Sequence, residues 1–107
     1  MSLFSWFAPA PDIQQGELDF QKADDAVLLD VRTAEEYAQG HLTHSVNLPL
    51  DQLSSISYGK DVPLYVYCHS GARSARACDW LRRHGYEAIN IGGIMHYRGA
   101  REKGGAT

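Results

Sequence analysis

The chain has 107 residues, of which 44% are hydrophobic and 21% charged, with ten glycines, four prolines and two cysteines. That length and balance describe one domain able to bury roughly 60–68% of the surface its unfolded form exposes, and they exclude a disordered, collagen-like or disulfide-scaffold protein. Ten Lys plus Arg against thirteen Asp plus Glu leave a formal charge of −3, so no general positive field attracts nucleic acid or anionic lipid and any anion must be held locally.

Along the chain, the first apolar cluster is Leu3, Phe4, Trp6 and Phe7. It has no basic flank and stops at Pro9 and Pro11, well short of a signal peptide or a membrane span. Residues 13–22 read as a helix and residues 26–31 (AVLLDV) as a strand apolar on both faces, as in a parallel sheet. Thr33-Ala34-Glu35-Glu36 fits a capping box, so a short helix is expected over residues 34–39, with Gly40 as its C′ stop. A weak strand over residues 45–48 and a helical turn over 50–57 come next.

Residues 64–68 (LYVYC) form the second strong strand. The best helix runs from about Gly71 to His84 with Ser74, Ala77, Cys78 and Leu81 on one face, Arg73, Arg76 and Arg83 elsewhere, and Gly85 just past its end. A weak strand over 87–91 leads to Gly92-Gly93, which opens a last short helix, and residues 101–107 are expected to fray. The alternation predicts an α/β domain: a small parallel sheet flanked by helices, with its core from about residue 12 to 98 of the single domain 1–107.

The informative stretch is residues 64–76, LYVYCHSGARSAR. A strand delivers Cys68 to a turn holding Gly71, and a helix begins near Arg73. Ligand sites in open α/β sheets lie outside the carboxyl ends of the strands, and a helix N-terminus offers unpaired N–H groups to an anion. A thiol placed there is expected to be a nucleophile at neutral pH. The alternative, a small hydrophobe ending a strand, fits many buried cysteines. Arg73 and Arg76 argue against it, because cations in a first helical turn oppose the dipole unless an anion lies between them. Cys78 is the opposite case, a core residue on the apolar helix face. It starts about 6 residues along a helix that rises ~1.5 Å per residue, too far for an easy bridge to Cys68.

Residues 28–50, LLDVRTAEEYAQGHLTHSVNLPL, and 65–94, YVYCHSGARSARACDWLRRHGYEAINIGGI, resemble a single-domain rhodanese, a sulfurtransferase, with the D-V-R, E-Y, G-H, N-x-P, C-x-x-G-x-R-S and G-G motifs in order. His44 and Ser45 depart from the family's usual Gly-Ala, and Tyr97 stands near a position that is often Trp. The resemblance implies a ping-pong reaction in which Cys68 takes a sulfane sulfur from a donor such as thiosulfate, carries it as a persulfide, and passes it to a thiol or cyanide, without cofactor or metal. Backbone N–H groups from His69, Ser70, Gly71, Ala72 and Arg73 are expected to hold the sulfur, with Ser74 either adding a hydroxyl donor or only packing closely. Arg73 either contacts the anionic donor or braces the loop through Asp30 or Glu36. Asp30 and Arg32 tie strand ends by family analogy, and His69 faces the mouth, where it tunes donor choice or has no role.

Three rivals stand beside this reading. A phosphatase or arsenate reductase uses five residues between Cys and Arg where this chain has four. A persulfide carrier or regulatory module uses the same Cys68 without turning over free thiosulfate. Zinc bound by His41, His44 and His69 lacks a second matched pair. Arg82-Arg83 alone speaks for nucleic acid and reads as a solvated helix end. The expected setting is a monomer or weak dimer in a reducing cytoplasm, off the membrane, or in the periplasm if a leader has been removed.

Overall fold

The computed structural model describes residues 10–105, so the cluster of Leu3, Phe4, Trp6 and Phe7 lies outside it. Helix α1 (Ile13–Lys22) is capped by Asp12, whose carboxylate accepts from the Gln14 N–H. Strand β1 (Val27–Asp30), helix α2 (Ala34–Gln39), strand β2 (Ser45–Asn47) and a 3-10 helix (Leu50–Ser55) follow. Strand β3 (Leu64–Cys68), helix α3 (Ala72–Arg83), strand β4 (Ala88–Gly93) and a 3-10 turn (Ile94–His96) complete the order.

The four strands form one parallel sheet in the order β2-β1-β3-β4, with β1 and β3 in the centre. Side chains alternate across it, as a period of two demands. Leu29 on β1 and Leu64, Val66 and Cys68 on β3 face α3 and pack with Ala77, Cys78 and Leu81. Leu28 and Tyr67 face the other way and pack with Ile13 of α1, Leu42, Ile91 and Ile94. Each large aliphatic side chain so buried contributes roughly 1.5–3 kcal/mol, which is why both central strands read as continuous apolar runs. The α3 face expected from the sequence, Ser74, Ala77, Cys78 and Leu81, is the buried face.

The capping box of α2 forms as expected: the Thr33 hydroxyl accepts from the Glu36 N–H and the Glu36 carboxylate accepts from the Thr33 N–H. Gly40 ends that helix with an extended backbone rather than a left-handed one, at φ 161°. Its missing side chain instead makes room for the Arg101 stem, since a Cβ there would lie 3.3 Å from Arg101 Cδ. Gly85, after α3, has the left-handed φ of 88° expected of a helix stop.

Gly93 is the N-cap of the last short helix, as expected of the Gly92-Gly93 pair. Two expectations are corrected. Strand β4 does not stop at residue 91 but takes in both glycines, because a register shift opposite Val66 and Tyr67 inserts one residue and carries the strand two positions further. Residues 101–105 do not fray. Glu102 exchanges backbone hydrogen bonds with His41, the Thr43 hydroxyl donates to its carboxylate, Arg101 donates to the Ile94 carbonyl and the Gly104 N–H to the Ala38 carbonyl. The tail is a strap tied to α2 and the segment after it.

Candidate active site

The carboxyl ends of the strands bring Asp30, Asn47, Cys68 and Gly93 to one edge of the sheet. Asp30 is fully buried and its charge is matched by Arg32, which donates from Nη2 to Oδ2 at 2.7 Å and from Nε to both oxygens at 3.1 Å. Nη2 of Arg32 also donates to the Gly40 carbonyl at 2.6 Å. Burial alone would lower the Arg32 pKa, but the hydrogen bonds and charge of Asp30 raise it, so the guanidinium stays charged. Together they fasten β1 to the end of α2. Asn47 adds a clamp by donating to the Asp30 and Arg32 carbonyls.

Cys68 exposes no surface. The chain leaves it through His69 and Ser70, both exposed, and turns into α3 at Gly71, whose φ of 102° suits glycine. Gly71 is the N-cap of α3 and has no side chain to cap it. The sulfur takes that place: Cys68 Sγ accepts from the Gly71 N–H at 3.0 Å and the Ser74 N–H at 3.3 Å, with the Ser74 hydroxyl 3.4 Å away. An oxygen on an ordinary N-cap residue would accept from the same N3 position. The Ala72 N–H is directed to the Ser70 hydroxyl, at 3.4 Å.

Of the two partners expected for Arg73, the structure selects Glu36. The guanidinium lies in a two-pronged pair with that carboxylate, at 2.6 and 2.9 Å. Hydrogen bonding from Arg73, helped by the Thr33 backbone, outweighs partial burial and holds the Glu36 carboxyl down at about 2. The first turn of α3 is thereby braced against the capping box of α2. His69 lies on the rim of a polar cavity of 320 Å³ that it shares with Arg32, Glu36, Gln39, Gly40 and Arg101. Arg76 faces elsewhere, into a groove of 610 Å³ with Arg73, Trp80, Pro49 and Leu50.

Cys78, two turns along α3, is also fully buried, and burial pushes its thiol up to about 11. Both cysteines are free thiols. Among the described residues no three His, Cys, Asp or Glu side chains are grouped to hold a metal. Of the three histidines considered for zinc, His41 turns Nδ1 to the Tyr37 carbonyl at 2.7 Å and stacks on the Tyr37 ring. Arg82 donates to the Ala88 carbonyl and Arg83 pairs with Asp79. No helix of the described residues is long and apolar enough to cross a membrane.

Three contributors escaped the sequence reading. Asn90 on β4 donates to the Gly71 carbonyl at 3.3 Å and accepts from the Ser74 hydroxyl at 2.7 Å and the Gly92 N–H at 3.0 Å. Gly93 packs so tightly under the loop that a Cβ there would lie 2.6 Å from Ser70 Cα and overlap the His69 carbonyl oxygen. Arg101 reaches the cavity because the tail is strapped down. Asn90 had a signal, a polar side chain within the otherwise apolar run AINIGG, and Gly93 had one as part of the G-G motif.

A sequence model of the Rhodanese-like domain family matches residues 14–100, which takes in all four strands, the whole cysteine loop and all but the first residue of α1. The chain belongs to that family. A sulfurtransferase of Allochromatium vinosum is 40% identical to this rhodanese-like chain over 78 residues, covering 67% of the chain and 71% of the relative. A tRNA uridine(34) hydroxylase of Erwinia tasmaniensis is 34% identical over 91 residues, 75% of the chain, but the match spans only 26% of the hydroxylase. Among solved structures, a rhodanese-like domain protein from Staphylococcus aureus superposes with a TM-score of 0.76 at 26% identity, covering 92% of this chain and all of that one.

The departures from the family pattern now have a physical setting. His44, where Gly is usual, holds a left-handed φ of 72°, the conformation for which glycine carries no side-chain penalty. Ser45, where Ala is usual, is buried and bonded to the Leu42 carbonyl and the Tyr67 hydroxyl. Tyr67 also accepts from the Leu42 N–H, and burial raises its pKa.

Proposed function

We propose that this rhodanese-like protein is a thiosulfate-type sulfurtransferase that works through a persulfide on Cys68. The observation that carries the reading is the sulfur of Cys68 standing as the N-terminal cap of α3 with the Gly71 and Ser74 N–H groups directed at it and the Ser74 hydroxyl 3.4 Å away. Fixed donors in a water-poor site suit a sulfur that carries negative charge both as a thiolate and as a terminal persulfide. In the first half-reaction the thiolate attacks the sulfane sulfur of thiosulfate. A new S–S bond forms, the old one breaks, and sulfite leaves with its electron pair. In the second, cyanide or an acceptor thiolate attacks the outer sulfur and Cys68 departs as thiolate.

Cys68 exposes no surface, so donor entry goes with movement of His69 and Ser70, the exposed residues that follow it. The polar cavity beside His69 is the side from which a small anion enters. With four residues between Cys68 and Arg73, the turn into α3 sets the Gly71 and Ser74 N–H groups on a single sulfur atom, which favours sulfur over a tetrahedral phosphate or arsenate. Two free thiols suit a reducing compartment. A carrier role is the second reading. It is favoured by the match of this domain to about a quarter of the length of a tRNA uridine(34) hydroxylase, where the domain works beside other parts of a chain.

The deciding experiment is incubation with thiosulfate followed by intact mass measurement and peptide mapping. A gain of one sulfur atom on Cys68, discharged by cyanide, is expected. Discharge by protein thiols but not by cyanide would favour the carrier, and no gain would remove the sulfurtransferase reading.

A further inference from the structure

The Ser74 hydroxyl has one hydrogen and three neighbours able to accept it: Asn90 Oδ1 at 2.7 Å, the Gly71 carbonyl at 3.0 Å and Cys68 Sγ at 3.4 Å. The orientation of the Asn90 amide is fixed by its other bonds. The Gly92 N–H donates to Oδ1 and Nδ2 donates to the Gly71 carbonyl, so reversing the amide would set NH₂ against an N–H donor. The oxygen therefore faces Ser74, and the shortest contact is Ser74 O–H donating to Asn90. In that state Ser74 presents a lone pair to Cys68, which suits a neutral S–H. A charged sulfur calls for the opposite arrangement, with the hydroxyl turned to donate to it, because hydrogen bonds to ions are about twice as strong as neutral ones.

We infer that Asn90 is a positioning residue that works through Ser74. It holds the hydroxyl hydrogen away from Cys68 while the sulfur is neutral and yields it when the sulfur is charged, so that the third donor of the cradle follows the state of the sulfur. No bond to a heavy atom is made or broken in this turn. The inference rests on the proposed sulfur chemistry for its purpose, but the hydroxyl turn can be observed without any donor.

The charged and titratable groups around the loop are Arg73 with its partner Glu36, Cys78 on the same helix, Asp30 with Arg32 on the adjoining strand end, and His69 in the loop, while Tyr67 faces the other side of the sheet. None of them is altered in the test. Cysteine Cβ carbon chemical shifts report the fraction of thiolate directly and need no access to the buried sulfur. They are followed against pH in the full chain labelled at cysteine, with Cys78, whose thiol burial pushes up to about 11, as the internal reference.

Removing the competing acceptor in Asn90→Ala is expected to move the Cys68 midpoint down by roughly half a pH unit, the size of one hydrogen bond redistributed between acceptors. Ser74→Ala should move it up, and Asn90→Ala should add nothing in the Ser74→Ala background. A residue that merely braces the loop would behave differently: its loss would loosen the donors and move the midpoint up whether or not Ser74 is present. An upward or absent shift in Asn90→Ala, or a shift that survives Ser74→Ala, overturns the inference. Thiosulfate loading of the unaltered chain stays a separate result that judges the proposed function alone.

Discussion

Cys68 and Cys78 lie in the same apolar cluster, and neither exposes any surface. They differ in what points at the sulfur. Cys78 stands among apolar side chains in the middle of α3, where the helix spends its N–H groups on its own carbonyls, and burial pushes its thiol up to about 11. Cys68 stands before the first turn of the same helix, where N–H groups have no intrahelical partner and turn to the sulfur instead. Burial therefore does not distinguish the two cysteines in this fold. Position relative to a helix end does.

The largest test of that contrast is Cys68→Ser. A serine hydroxyl can cap the helix as well as the sulfur does but cannot hold a sulfane sulfur, so thermal unfolding should stay near that of the unaltered chain while sulfur transfer falls by more than ~10³-fold. Both are read from one preparation, by melting curves and thiocyanate formation. Equal activity in the variant would sink the nucleophile assignment.

Gly93→Ala attacks the floor beneath the cradle. The added methyl would meet the His69 carbonyl and Ser70 backbone, which cannot swing aside as the end of a flexible side chain would. We expect roughly 1–3 kcal/mol lost from folding and a larger fractional loss of sulfur transfer, because the loop is displaced first. If melting falls and activity per folded molecule is unchanged, the loop does not depend on β4. Cys78→Ala tests the other side of the comparison. Truncating a small buried side chain should cost ~1 kcal/mol by denaturant titration and leave sulfur transfer intact. Loss of activity at unchanged stability would mean that Cys78 takes part in the chemistry.

Much of this was legible in the sequence, for reasons that differ by element. The two central strands, the capping box at Thr33 and Glu36, and the buried face of α3 depend on local pattern, and all three form as read. The rhodanese-like family was recognisable from motifs spread over both halves of the chain. What was missed depends on partners far along the chain. Asn90 bonds to Gly71 and Ser74, 19 and 16 residues away, across a bulge that no propensity marks. The tail from Arg101 onward has the composition of a frayed end, yet Glu102 pairs with His41, and only the folded neighbourhood of Gly40 makes room for it. The choice of Glu36 over Asp30 as partner of Arg73 was open in the sequence, since Asp30 is already committed to Arg32 only once the chain has folded.

That choice gives the smallest and most local test, through acid stability. The ordinary value for Glu36 is 4.5, and the folded protein holds it at about 2, chiefly because Arg73 donates two hydrogen bonds to the carboxylate. A carboxyl whose folded pKa lies below its unfolded one adds stability that is fully present above pH 4.5 and is lost as pH falls toward about 2. Both side chains are about one-third exposed, so solvent screening limits the contribution, and ~0.5–1 kcal/mol is expected instead of the full linkage value. Glu36→Gln should therefore lower stability by that amount at pH 7 and flatten the stability profile between pH 4.5 and 2, while the Cys68→Ser profile keeps its slope in that window. Urea titrations at a series of pH values measure both. An unchanged slope in Glu36→Gln would mean that the Arg73 pair does not brace the first turn of α3, and the cradle would then rest on Asn90 and Gly93 alone.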